Sequence, residues 1–187
     1  MIKTKIILFI FIFFLKSIIV FAGEWDDLNN QIYLALDAGD LSKATAKAKQ
    51  ALTRANTEFG QKHPNTLTSM NNLAFLFKIQ GRYEKAASLY IKSLALCKET
   101  RGYKHPDTLN SMSRLAVLYF SQGYYKKAAP VFIKTLILRK EVLGLEDHRT
   151  LTSMNNLAQL YMTQGHYEKS EVLYIESLAL RKETLGL

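Results

Sequence analysis

The amino-acid sequence predicts an all-α fold, a solenoid of stacked helix–turn–helix repeats. Three observations lead to this prediction. A sequence block recurs without gaps at an offset of 42 positions, apolar residues inside each block recur at spacings of three and four, and glycines recur at fixed positions of each block. Spacings of three and four place residues on one face of a helix, and glycine is favoured where a helix ends.

The repeat is clearest in three segments: HPNTLTSMNNLA from His63, HPDTLNSMSRLA from His105 and DHRTLTSMNNLA from Asp147. From Thr66 to Tyr103, 26 of 38 positions are identical to those 84 positions later, which excludes chance. We therefore treat the 42-residue block as the structural unit of the chain.

A weaker copy lies upstream, where Asn29, Asn30 and Gly39 stand one repeat before matching residues. We predict four repeats in one domain, residues 23–187, with approximate bounds 23–62, 63–104, 105–146 and 147–187. The first repeat is the most diverged, as terminal units of solenoids often are.

Each repeat is predicted to form two helices, A and B. In the second repeat, helix A covers about Thr66–Gln80 and helix B about Tyr83–Thr100. Asn65 or Thr66 is expected to cap helix A, and Gly81 and Gly102 are expected to end the two helices.

The residues expected to be buried follow helical stripes. On helix A they are Leu67, Met70, Leu73, Ala74 and Phe77, and on helix B they are Ala86, Leu89, Tyr90, Leu94 and Ala95. Alanine at 74 and 86 lets two helix backbones approach closely. Cys97 lies beyond the helix B stripe, so we expect it on the surface, and as the only cysteine it forms no intramolecular disulfide.

This pattern resembles the tetratricopeptide repeat through Leu73, Ala74, Phe77, Ala86 and Tyr90. The 42-residue period, the HPDT segment and the Arg-Lys-Glu run of helix B are similar to the kinesin-light-chain variety, which many bacterial proteins also resemble. The resemblance implies a right-handed α-solenoid whose A helices line a concave groove that takes a peptide segment.

When the four repeats are aligned with those of that family, each of them contributes residues to the expected groove. They are Asp26, Asn29, Asn30 and Tyr33 in the first; Thr68, Asn71, Asn72, Phe75, Lys78 and Ile79 in the second; Asn110, Ser113, Arg114, Val117, Phe120 and Ser121 in the third; and Thr152, Asn155, Asn156, Gln159, Met162 and Thr163 in the fourth.

The recurring asparagine pairs have two interpretations. An amide both donates and accepts hydrogen bonds, so it can hold a peptide backbone of any sequence. Alternatively, one asparagine of each pair bonds a neighbouring helix and satisfies buried polar groups. Arg114 replaces asparagine in the third repeat, and it either binds a carboxylate or is simply solvated.

Residues 1–22 have the layout of a secretory signal peptide. They contain Lys3 and Lys5, no acidic residue, and an apolar run from Ile6 to Leu15. We predict cleavage before Gly23 and export to the periplasm or the cell exterior. The alternative is an uncleaved membrane anchor, which needs about 20 apolar residues and so must include Lys16.

Other function classes find little support in the sequence. The chain has a net charge of +9, but no basic run or nucleic-acid motif is present. His63 and His105 occupy the same position of two different repeats, in separate loops, which does not suit a metal site, and no catalytic or cofactor motif appears. We therefore expect no enzyme activity and no metal, cofactor or nucleic acid.

The leading hypothesis is a non-catalytic scaffold that binds a protein or peptide of unknown identity in the groove. A second is a structural protein that self-associates through its C-terminal end, where Leu185-Gly186-Leu187 leaves no polar capping helix. A third is a membrane-tethered adaptor, which requires residues 1–22 to remain attached.

Overall fold

A computed structural model describes residues 23–185 of the chain, Leu185 without its side chain. Within this range, eight helices follow one another. They are α1 (residues 23–37), α2 (Leu41–Phe59), α3 (Pro64–Ile79), α4 (Tyr83–Arg101), α5 (Pro106–Ser121), α6 (Tyr125–Leu143), α7 (His148–Thr163) and α8 (Tyr167–Leu185). The predicted signal segment, residues 1–22, lies outside the described residues, as do Gly186 and Leu187.

The alternation of helix lengths confirms the two-helix repeat. Helices α3, α5 and α7, the A helices, have 16 residues each, and the B helices α2, α4, α6 and α8 have 19 each. Helix α1 holds the A position of the first repeat. The connections use Gly81 at φ +71° and Gly102 at φ +83°, a region that residues with a side chain rarely adopt. Glycine therefore ends the helices as predicted.

The chain divides into two compact units. Unit 1 ends at Gln80 and contains α1–α3, and unit 2 begins at Gly81 and contains α4–α8. In unit 1, α2 packs on α3. In unit 2, consecutive helices pack on one another and α5 also contacts α7.

The prediction that Asn65 or Thr66 caps helix A is wrong. His63 is the N-cap of α3, because its Nδ1 accepts a hydrogen bond from the Asn65 backbone N–H at 3.2 Å. Thr66 is fully buried and its hydroxyl donates to the Gly60 carbonyl at 2.7 Å. The helix consequently begins at Pro64, earlier than predicted, where proline is well tolerated.

The core of unit 2 lies between α5, α6, α7 and α8. Phe132, Leu151 and Met154 belong to one buried cluster that also contains Ala116 and Ala128. Both alanines are fully buried, which confirms that small residues allow the helices to approach closely. The other buried members of this cluster are Leu136, Leu157 and Leu160.

The predicted stripe of helix B is confirmed in part, since Ala86 and Tyr90 are buried and Leu89 and Leu94 are half-buried. On α4 the buried residues are Ala86, Tyr90, Ser93 and Cys97, whereas Ala95 is exposed. Spacings of four, three and four keep the buried residues on one face, and Ala95 lies between two of them on the opposite side. Cys97 is only 1% exposed and its Sγ lies 3.6 Å from the Ser111 Oγ on α5, so the predicted surface position of Cys97 is wrong.

Candidate functional site

The A helices of each unit are neighbours. In unit 2, α5 contacts α7. In unit 1, the Trp25 Nε1 of α1 donates to the Ser69 Oγ of α3 at 2.8 Å, and the Asn72 Nδ2 donates to the Asn29 Oδ1 at 3.3 Å. Each unit therefore places its predicted groove residues on adjacent helices.

Most of these side chains are accessible to solvent. The exposed ones are Asp26, Asn30, Tyr33, Thr68, Phe75, Ile79, Arg114, Ser121, Thr152, Gln159, Met162 and Thr163. The half-buried ones are Asn71, Asn72, Lys78, Asn110, Ser113, Val117, Phe120, Asn155 and Asn156. Asn29 is the buried exception.

The asparagine pairs differ between the two units. In unit 1, the Asn29 amide donates to the Trp25 carbonyl at 2.8 Å and accepts from Asn72, which is the internal pairing considered above. Asn29 is therefore held inside the protein and presents no free amide for a ligand. In unit 2, the half-buried side chains of Asn155 and Asn156 form no hydrogen bond with any other described residue, so both amides remain available for a ligand.

A cleft of about 350 Å³ opens between α5, α6 and the start of α7 in unit 2. Helix α5 contributes three of the predicted groove residues, and α7 contributes a fourth together with two residues of its first turn. The lining residues are Asn110, Ser113, Arg114, Arg139, His148, Arg149 and Thr152.

Arg139 forms the floor of this cleft and is only 4% exposed. Its Nη1 donates to the Arg149 carbonyl and to the Ser153 Oγ, both at 2.8 Å, and its Nη2 donates to the Asn110 Oδ1 at 2.7 Å. Its Nε is buried without a hydrogen-bond partner. Burial, and after it the neighbouring Arg149, lowers the pKa of Arg139 to about 10, while Asp147 opposes the shift.

Asp147 neutralises Arg149 at one edge of the cleft. The Arg149 Nε and Nη2 donate to the two Asp147 carboxylate oxygens at 2.9 and 2.8 Å. These hydrogen bonds hold the pKa of Asp147 well below its usual range. Asp107 also acts on Arg149 through its charge, but it is itself in an ion pair with Arg101.

Two guanidinium groups of the cleft have no carboxylate partner within residues 23–185. Arg139 is one, and the other is the exposed Arg114, whose charge acts on the buried Tyr90 hydroxyl. Burial raises the pKa of Tyr90, and Arg114 partly opposes this, so Tyr90 does not supply a negative charge. With Asp147 offsetting Arg149, the cleft has an excess of two positive charges.

This arrangement is suited to binding an anion. Guanidinium groups present paired N–H donors that match the oxygens of carboxylates and phosphates. Across residues 23–185, no three histidine, cysteine, aspartate or glutamate side chains form a group that could hold a metal ion.

The family model described as tetratricopeptide repeat matches residues 28–99, 71–132 and 115–183 in three overlapping segments. Together these segments cover most of the sequence. The chain belongs to the tetratricopeptide repeat family.

Solved structures of similar fold include a Podosopora anserina protein described as kinesin light chain nearly identical TPR-like repeats. It is 21% identical, with a TM-score of 0.73 over 87% of this chain and 77% of that protein. BtubC (BKLC) from P. vanneervenii is 22% identical, with a TM-score of 0.73 over 83% of this chain and 62% of its own.

A Rap protein in complex with Competence and Sporulation Factor is 16% identical, with a TM-score of 0.73 over 86% of this chain. The similar region spans 43% of the Rap protein, so the whole of that protein is much longer than what is shared. A search of curated proteins finds no significant match.

These comparisons confirm the predicted fold class, an all-α solenoid of tetratricopeptide repeats, and the resemblance to the kinesin-light-chain variety. Proteins of this family commonly act as interaction scaffolds and are generally non-catalytic. None of the helices described for this tetratricopeptide repeat protein is both long enough and apolar enough to cross a membrane.

Three residues of the cleft, Arg139, His148 and Arg149, are not among the groove residues predicted from the sequence. Arg139 belongs to the Arg-Lys-Glu run of helix B, which indicates a solvated face, and Arg149 stands in the first turn of helix A. A signal exists for Arg149, which interrupts the repeat because Asp107 stands one repeat before it, but not for Arg139, which shares its repeat position with Arg181.

Proposed function

We propose that this tetratricopeptide repeat protein is a non-catalytic interaction scaffold that binds a peptide segment of a partner on the exposed surface of its A helices. The observation that carries the proposal is the cleft of unit 2. It is open to solvent, it lies on the A-helix side, and it contains donors that the packing of the helices does not fully use.

Polar side chains beside the cleft extend the same surface. Asn155 and Asn156 lie half-buried on α7, and Gln159 is exposed one turn further along. Amides in such positions can donate to and accept from the backbone of an extended peptide. The Rap protein of similar fold, which is complexed with Competence and Sporulation Factor, supports a role of this kind.

The test is selection of binding peptides from a random library on the purified protein, followed by affinity measurement. A variant of unit 2 with Arg114→Ala, Asn155→Ala and Asn156→Ala should lose binding of the selected peptides. Each lost hydrogen bond weakens binding by about tenfold, and more where the bond is charge-assisted.

A control variant carries three alanine substitutions on exposed B-helix residues: Lys85→Ala, Lys126→Ala and Glu168→Ala. It should bind the same peptides as the unmodified protein. If the A-helix variant retains full affinity, or if both variants lose it equally, the A-helix surface is not the binding site.

We also propose that the protein is exported, on the basis of the basic start and apolar run of residues 1–22. N-terminal sequencing of the protein recovered from outside the cytoplasm should begin at Gly23. Recovery in the membrane fraction with Met1 retained would instead support the tethered adaptor.

A second candidate function is self-association through α8. Leu178 on α8 is 55% exposed, whereas Leu136, at the same repeat position on α6, is 6% exposed and belongs to the cluster that contains Leu151 and Met154 of α7. An A helix from another copy would cover Leu178 in the same way. A molar mass that stays monomeric up to high protein concentration would contradict this candidate.

A further inference from the structure

Two arginines of unit 2, Arg114 and Arg149, depart from the repeat and meet a third, Arg139, in one cleft. At the repeat position of Arg114, the neighbouring repeats have Asn72 and Asn156. At the position of Arg139, the preceding repeat has Cys97. At the position of Arg149, the two preceding repeats have Asn65 and Asp107. Arg181 also shares the register of Arg139, but it is exposed on α8 and does not line the cleft. Repeat geometry alone therefore does not require this concentration of charge.

The buried guanidinium at the cleft floor is the strongest indication of a ligand. Arg139 is almost fully buried, has no carboxylate partner among the described residues, and has an Nε without a hydrogen-bond acceptor. Burial of a cation without a counter-charge is unfavourable, and a bound anion would remove that cost. Arg139 also lines the open cleft, so an anion bound there would lie beside its charge.

The charge count selects the kind of anion. Asp147 pairs with Arg149, which leaves the guanidinium groups of Arg114 and Arg139 uncompensated. A carboxylate carries one negative charge and would satisfy one of them. A phosphate group carries close to two, which matches the two guanidinium groups that lack a counter-charge.

We infer that the cleft lined by Arg114, Arg139 and Arg149 is a binding site for a doubly charged phosphate group. The phosphate is either free inorganic phosphate or a phosphorylated side chain of a peptide. The exposed Arg114 donates to the phosphate oxygens, and the Arg139 guanidinium beneath supplies the second positive charge, while Arg149 remains held by Asp147. This site goes beyond the proposed scaffold function, because phosphate can bind here whether or not a peptide occupies the A-helix surface.

The first experiment is isothermal titration of the full chain with inorganic phosphate at about pH 8, compared with sulfate and with acetate. Phosphate and sulfate should bind saturably at one site per chain. Acetate, with a single charge, should bind at least about tenfold more weakly because one guanidinium group remains unpaired.

Two variants test the residues. Arg114→Ala changes an exposed side chain and should weaken phosphate binding by about tenfold or more. Arg139→Met keeps much of the side-chain volume without the charge and should abolish binding while circular dichroism shows the same helix content. Arg181→Ala removes a positive charge of the same register outside the cleft, and its phosphate affinity should equal that of the unmodified protein.

Three results would overturn the inference: no saturable binding of phosphate, equal affinity for acetate, or equal loss of affinity in Arg181→Ala and Arg114→Ala. To identify the source of the phosphate, the affinities of a peptide with one phosphoserine and of its unphosphorylated form are measured. Tighter binding of the phosphopeptide than of inorganic phosphate assigns the site to a peptide, and the reverse order assigns it to free phosphate. Failure of library peptides to bind would contradict the scaffold proposal and leave the phosphate titration unaffected.

Discussion

Two equivalent junctions of unit 2 have the same backbone arrangement and different chemistry. At the α4–α5 junction, Cys97 meets the hydroxyl of Ser111, and both side chains are buried. At the α6–α7 junction, one repeat later, Arg139 meets the hydroxyl of Ser153 and continues to the edge of an open cleft. One position of the repeat thus serves packing in one place and presents a buried charge in another.

The difference shows that a repeat architecture can acquire a binding site without changing its helices. Ser111 and Ser153 keep the same role of accepting or donating a hydrogen bond at the junction. What changes is the residue opposite them, and with it the charge of the surface. Function in such a protein lies in the residues that depart from the repeat, since the repeat itself provides the fold.

The largest expected effect on stability comes from Cys97→Arg, which places at the α4–α5 junction the residue type found at the α6–α7 junction. The site is 1% exposed, so the substitution both overfills it and buries an unpaired cation. We expect a loss of about 3 kcal/mol in the free energy of unfolding. Urea unfolding measures it, with Cys97→Ser as the control of similar size. Equal stability of the arginine and serine variants would mean that both junctions accommodate a cation.

Asp147→Ala should lower the free energy of unfolding by about 1–2 kcal/mol, because Asp147 caps α7 and pairs with Arg149. The folded-state pKa of Asp147 is depressed, so its contribution is present above the unfolded pKa of about 3.9 and is lost as the pH falls below that value. The difference in melting temperature between the native protein and Asp147→Ala should therefore shrink below about pH 4. Asp147→Asn keeps the cap and separates the two contributions. A constant difference down to about pH 2 would contradict the pairing.

Ser153→Ala should cost about 1 kcal/mol, since the serine accepts a charge-assisted hydrogen bond from Arg139. Ser111→Ala should cost about half as much, because its partner is a thiol, a weak hydrogen-bonding group. Thermal unfolding of both variants side by side measures the difference. A larger loss of stability in Ser111→Ala than in Ser153→Ala would contradict this prediction.

The smallest expected effect on stability comes from Arg139→Met. The substitution leaves the Arg149 carbonyl, the Ser153 Oγ and the Asn110 Oδ1 without their donor, which lowers the free energy of unfolding. It also removes the cost of burying a charge without a counter-charge, and because the two terms oppose each other we expect a net change within about 1 kcal/mol. The melting temperature of the variant relative to the native protein measures it. A loss as large as that of Cys97→Arg would show that Arg139 is required for folding rather than for binding.

The fold could be predicted from the sequence because the period, the helical stripes and the glycines all point to the same architecture. The capping by His63 could not, because imidazole is an unusual cap and Asn65 offers a more common one. The predicted surface position of Cys97 is wrong because its register partners Arg139 and Arg181 suggest a solvated site. The arginine cleft could not be predicted because its members are distant in sequence and only α5, α6 and α7 together bring them into contact.

The most direct test of the binding site is a phosphate titration followed by NMR of the arginine side-chain Nε–H groups. The Arg139 Nε–H has no protein acceptor among the described residues, so we predict that its resonance moves progressively and saturates as phosphate binds, together with that of Arg114. If the Arg139 resonance stays unchanged while the backbone signals of other regions move, phosphate binds elsewhere and the cleft is not the site.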